Sequence, residues 1–94
     1  MSGGAFNHAQ FQLMQMADDI DQRILINDVT DEWGNRPAYS KETLEQFRIA
    51  AAKLREAYIY VQRIDWLLSG DDGEDTFHKR LKKDLEAQTN DDVR

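Results

Sequence analysis

From position 41 to position 68 the chain runs without proline or glycine, and apolar residues return every three or four places: Leu44, Phe47, Ala50, Ala51, Leu54, Ala57, Tyr58, Val61, Ile64 and Leu68. That spacing predicts one long amphipathic helix, about 40 Å in length at about 1.5 Å per residue. Ser40 stands in the N-cap place, and Tyr39 and Leu44 hold the two positions of a hydrophobic staple. A rod this long is the spine on which the remainder must pack.

A second period precedes it. Phe6, Ala9, Leu13, Met16 or Ala17, Ile20 and Ile24 recur at helical spacing and predict a helix over about 7–26. Asn7 is its expected cap, Gln10 the returning side chain of a capping box, and Phe6 with Phe11 its staple. After the spine, Phe77, Leu81 and Leu85 at four-residue intervals predict a short helix over about 72–86. The closing AQTNDDVR has no pattern. The expected fold is therefore all-α: a long central helix at about 41–68 in a hairpin with the C-terminal helix, and the N-terminal helix laid against them. One domain spans 1–88, with 89–94 a disordered tail.

Three features do not fit a simple bundle. Ile49, Tyr60 and Leu67 form a second apolar stripe on the spine, while Ile59 and Trp66 lie about as far round the other way. Either the flanking helices straddle the spine or a second copy of the chain covers it. Asp65 falls in the middle of the main apolar face, where a carboxylate needs partners. Backbone N–H groups from the following turn or from a neighbouring helix start are the expected donors. Finally, residues 27–39 carry Gly34, Pro37 and Trp33 with no period. The bulk of Trp33 favours a place over the core edge, and a binding loop is the alternative.

Size and charge narrow the classes of function. At 94 residues only one core fits. The net charge is −6, and residues 1–35 hold Asp18, Asp19, Asp21, Asp28, Asp31 and Glu32 against Arg23 alone. Direct nucleic-acid binding is not expected from such a surface. With no cysteine, disulfides and thiolate metal sites are excluded. No apolar run reaches about 20 residues, and the start lacks the basic and apolar regions of a signal peptide. No membrane association and a cytoplasmic location are the expectation.

The segment DWLLSGDDGEDTFHKR, residues 65–80, concentrates the chemistry. As an EF-hand with Gly73 sixth it has Asp72 fifth, but Gly70 third and Leu68 first, so the ligand pattern fails. The P-loop pattern is missing, and its acids would repel a phosphate. Glu74 and His78 have zinc-ligand spacing but lack a third ligand. Glu42 and Glu45 form an ExxE pair without the ExxD partner of magnesium pyrophosphohydrolases. No serine sits in a nucleophile elbow. No catalytic residue, metal set or cofactor is therefore expected. As a turn the segment makes sense: Gly70 left-handed to end the spine, Asp71 capping the last helix, Glu74 completing a capping box, with Gly73 in the first turn the one poor fit.

The start MSGGAFN and the later YVQRIDWLLSGDDGEDTF resemble a group of small uncharacterised proteins of bacteriophages and bacteria. These open with MSGG, an aromatic and Asn or Asp, and later carry an acid, Trp and SGD.GE. The matching positions are Met1 to Gly4, Phe6, Asn7, Asp65, Trp66, Ser69, Gly70, Asp71, Gly73 and Glu74; His8 departs from the aromatic expected there. The resemblance implies a phage setting and no established activity, so it transfers no catalytic residues. The leading expectation is a non-enzymatic protein that binds and modulates a host or phage protein through a helical surface. The alternative is an anion or nucleotide binder between the first helix start and the acid-Trp turn. Candidate binding residues are Asp65, Trp66, Ser69, Gly70, Asp71, Gly73 and Glu74 at the turn, with Trp33, Ile49, Tyr60 and Leu67 elsewhere.

Overall fold

The computed structural model describes residues 5–92, with side chains to residue 88. It contains three helices: α1 (Phe11–Leu25), α2 (Lys41–Leu68) and α3 (Glu74–Asp92), with no strand among the described residues. Both α1 and α3 pack on α2 and not on one another. The flanking helices thus straddle the spine, in a layer whose extents are 52 × 30 × 14 Å. The all-α three-helix arrangement is as the periodicity implied. Met1 to Gly4 and residues 93–94 lie outside the described residues.

The spine begins and ends where local chemistry dictates. Ser40 is extended, and its hydroxyl oxygen accepts the Thr43 N–H at 3.3 Å. At the other end Gly70 has φ +82°, its N–H donates to Leu67 O (3.2 Å) and the Asp71 N–H to Trp66 O (2.9 Å). Those two bonds are the Schellman pair that satisfies the last carbonyls of a helix. The Tyr39 ring stands 5.5 Å from that of Phe47 at the start of the spine.

The start of α1 corrects the sequence reading. Asn7 is not a cap, Gln10 does not close a capping box, and the helix begins at Phe11 rather than near residue 7. Asn7 (φ +52°) and His8 (φ +63°) are both left-handed, and Ala9 N–H donates to Phe6 O and Phe11 N–H to His8 O. This turn directs Gln10 inward, so its amide goes to α2 instead of to its own backbone. Phe11 packs against Tyr58, the rings tilted and their centres 5.8 Å apart.

At α3 the correction is similar. Asp71 is committed to the Schellman pair and does not cap; Asp72 accepts the Gly73 N–H (3.2 Å) and the Thr76 hydroxyl. Gly73 therefore precedes the helix, which removes its poor fit inside the first turn. The helix also runs on to Asp92, past the expected end near 86. Gln88 Nε2 donates to Ala52 O at 2.7 Å, tying this extra length to the spine. Among the described residues only Ala17 and Ala51 are apolar and fully buried, and no large side chain is.

Candidate functional site

Two clusters hold the singled-out residues. The first surrounds Asp65, which is 4% exposed. Its Oδ1 accepts the Ala5 N–H at 2.7 Å and the Ser69 hydroxyl at 3.3 Å, and its Oδ2 accepts Gln10 Nε2 at 2.9 Å. Gln10 Nε2 also donates to Gln62 Oε1 at 2.8 Å. The Ala5 N–H and then the Gln10 amide hold the carboxyl below its usual range; burial opposes them, and Ser69 and His8 assist. Both oxygens of Asp65 are thus occupied by the chain's own donors. Gln10 Oε1 is buried and has no hydrogen-bond partner.

Trp66, the next residue, turns to the other flank. The Arg63 guanidinium lies 4.7 Å above its ring, a cation–π contact. The same guanidinium donates from Nε to Asp84 Oδ2 of α3 at 2.7 Å. The dipeptide therefore serves both neighbours of the spine: Asp65 holds the turn before α1, and Trp66 with Arg63 lies on the side that grips α3. Arg55 plays the corresponding part towards α1, bonded to Asp18 (3.0 Å) and Asp21 (2.7 Å).

Gly70 ends α2 and Gly73 precedes α3, while Glu74 is the exposed first residue of α3. A Cβ at Gly70 would meet nothing within 4 Å, and at Gly73 only Thr76 Oγ1 at 3.9 Å. Gly70 answers a backbone need, since glycine takes its left-handed φ without strain, whereas Gly73 has no positive φ. Among the described residues no group of three His, Asp or Glu is placed to hold a metal.

The second cluster is the loop between α1 and α2, and here the expectation for Trp33 is corrected. It is 78% exposed and covers no core. What orders the loop is Asp31: its Oδ1 accepts the N–H groups of Trp33 (2.9 Å) and Asn35 (2.8 Å), an Asx turn that substitutes for core anchorage. Gly34 at φ +86° completes the tip. At the base, Asn27 Oδ1 accepts the Tyr39 N–H (2.9 Å), and Asp28 N–H donates to Pro37 O (2.6 Å). Leu25, Ile26, Val29 and Tyr39 are exposed around it.

The remaining candidates are dispersed. Ile49 lines a shallow groove of about 350 Å³ with Asp21, Arg48 and Arg55. Tyr60 is exposed, and Leu67 half-buried. They do not join into one site with Trp33. Sequence reasoning missed Gln10, Arg55, Arg63 and Asp84 as organising residues; Arg55, Tyr58, Gln62 and Asp65 share one helical stripe, which was the available signal.

No protein-family model, curated protein or solved structure matches this chain. No helix among the described residues is long and apolar enough to cross a membrane.

Proposed function

We propose that this is a small non-enzymatic interaction protein of a phage setting, which binds and modulates a host or phage protein through the loop that presents Trp33. The observation that carries the reading is the pairing of exposure with order. Trp33 is 78% exposed at the tip of a loop held by Asp31, Asn27 and Gly34. A large apolar side chain held in water by a built scaffold is the usual form of an interface anchor. Leu25, Val29 and Tyr39, on the segments that carry the loop, are exposed as well. The acid-Trp turn is read as structural, because Asp65 spends its acceptors on Ala5, Gln10 and Ser69. The resemblance to phage proteins touches that turn and supplies the setting.

Affinity capture from host lysate, with the chain immobilised, tests it. A protein retained by the wild type in high salt and lost with Trp33→Ser supports the reading, since apolar anchoring is insensitive to ionic screening. The same proteins captured by both forms would overturn it.

A further inference from the structure

Gly73 is the glycine of the turn that neither the backbone nor packing requires. It has no positive φ, and a Cβ there would meet only Thr76 Oγ1, at 3.9 Å. It follows Asp72, and this is the one Asp–Gly step in a sequence that has no Asn–Gly. With no Cβ beside it, the Gly73 nitrogen is open to the carboxyl group of the residue before it.

The Asp72 side chain is folded back over that nitrogen. Its Oδ1 accepts the Gly73 N–H at 3.2 Å, so the carboxyl group and the nitrogen are already in the contact from which a succinimide ring closes, and no diffusional search is needed. Thr76 joins the two reacting groups. Its Oγ1 accepts the Gly73 N–H at 3.2 Å and donates to Asp72 Oδ1. One hydroxyl therefore touches both the hydrogen that ring closure must remove and the oxygen it must expel. The Asp72 side chain is only 3% exposed, and its Oδ2 is buried without a hydrogen-bond partner. An acceptor in that position is destabilising where it stands, and leaving it as the oxygen of a neutral carbonyl lowers the penalty. The nearest cation, Arg80 Nη1, is 3.7 Å from Oδ1, beyond hydrogen-bond range.

We infer that Asp72–Gly73 is a site of self-modification, at which the folded chain converts its own backbone to isoaspartate. The Gly73 nitrogen attacks Cγ of the Asp72 carboxyl in its acid form. The N–Cγ bond forms and the Cγ–Oδ1 bond breaks. Oδ1 leaves as water, carrying the carboxyl's own hydrogen and the Gly73 hydrogen relayed through Thr76. Water then adds to the imide. Addition at the Asp72 main-chain carbonyl breaks its bond to the Gly73 nitrogen and leaves the backbone running through Cγ, one methylene longer; addition at Cγ restores aspartate. The longer path falls between the left-handed stop at Gly70 and the Gly73 carbonyl, which accepts the Phe77 N–H at 2.8 Å. The product therefore loses the Asp72 bonds to Gly73 and Thr76, and the start of α3 loosens. This inference goes beyond the Trp33 reading and stands without it.

Incubation of the full folded chain at pH 7, followed by proteolysis and mass spectrometry, should show first the loss of one water and then isoaspartate at residue 72. Methyl transfer by an isoaspartyl methyltransferase labels the product independently. The same chain unfolded in guanidinium chloride should react several-fold more slowly. Gly73→Ala, whose Cβ fits, and Thr76→Val should each slow the folded chain several-fold, whereas Thr76→Ser, which keeps the hydroxyl, should react at the wild-type rate. Circular dichroism checks that each variant remains helical. No isoaspartate at residue 72, a folded chain no faster than the unfolded one, or wild-type rates in Gly73→Ala or Thr76→Val would each overturn the inference.

Discussion

The Asp65 carboxylate accepts the Ala5 N–H at 2.7 Å across sixty positions of chain. With Gln10 on its other oxygen, it joins the turn before α1 to the last turns of α2. The turn near residue 5 and the acid-Trp turn near residue 65 thereby come into one cluster that closes the fold.

Replacing Asp65 by Asn should lower the melting temperature at pH 7 more than any single substitution at an exposed acid. An amide meets the Ala5 N–H and the Gln10 amide without the charge that both donors favour. The pH dependence has a definite sign. A carboxyl held below its usual value of 3.8 stabilises the fold fully above that value, and the contribution disappears as pH falls through the lower folded value. Wild type and Asp65→Asn should therefore melt far apart at pH 7, begin to approach as pH falls below 3.8, and converge as it falls through the lower folded value. Circular dichroism melts at pH 7, 4 and 2.5 check this; a constant gap would refute it.

Arg63 and Asp84 should be coupled through the 2.7 Å bond that joins α2 to α3. The Arg63 side chain is only 14% exposed, so this pair is better shielded than an ordinary surface ion pair. A double-mutant cycle with Arg63→Met and Asp84→Asn should give a coupling of about 1 kcal/mol. Arg63→Met alone should cost more than Asp84→Asn, because it also removes the cation over Trp66. Urea denaturation of the four proteins supplies the cycle.

The two glycines of the turn should respond in opposite directions. Gly70 is left-handed at φ +82°, so Gly70→Ala should destabilise by about 1 kcal/mol, and Gly70→Asn by less, although space at the site is open. Gly73 has no positive φ and its nearest prospective contact is at 3.9 Å. Gly73→Ala should leave stability unchanged or raise it by about 0.5 kcal/mol by restricting the unfolded chain. Denaturant midpoints of the three variants decide.

What was legible in the sequence follows the range of the interaction. Ser40 and Gly70 bound α2 as expected because a cap and a left-handed stop act within a few residues. Asn7 and Gln10 had the local pattern of a capping box, but the Gln10 amide is drawn to a carboxylate 55 positions away, and α1 starts later in consequence. Asp65 was visible as an anomaly on an apolar face, and its expected donors were of the right kind. Which ones they are depends on how α1 docks, a long-range matter. The end of α3 has the same cause, since Gln88 finds Ala52 on the spine. Trp33 was misjudged because burial statistics average over all tryptophans, whereas this one has its backbone held by Asp31 at an exposed loop tip.

Trp33 allows stability and binding to be tested separately. At 78% exposure with its backbone N–H held by Asp31, the indole contributes little to the fold. Trp33→Ser should shift stability by no more than about 0.5 kcal/mol. Asp31→Ala is the informative companion. It releases the Trp33 and Asn35 N–H groups together, leaving the indole present but free to move. An anchor that must be ordered at the moment of binding costs about 0.5–1.5 kcal/mol, so affinity for a captured partner should fall roughly 2- to 10-fold, against complete loss with Trp33→Ser. Titration calorimetry on wild type and both variants distinguishes the cases. If Asp31→Ala binds as tightly as wild type, preorganisation of the loop is not what the partner uses, and the significance given to its hydrogen bonds is wrong.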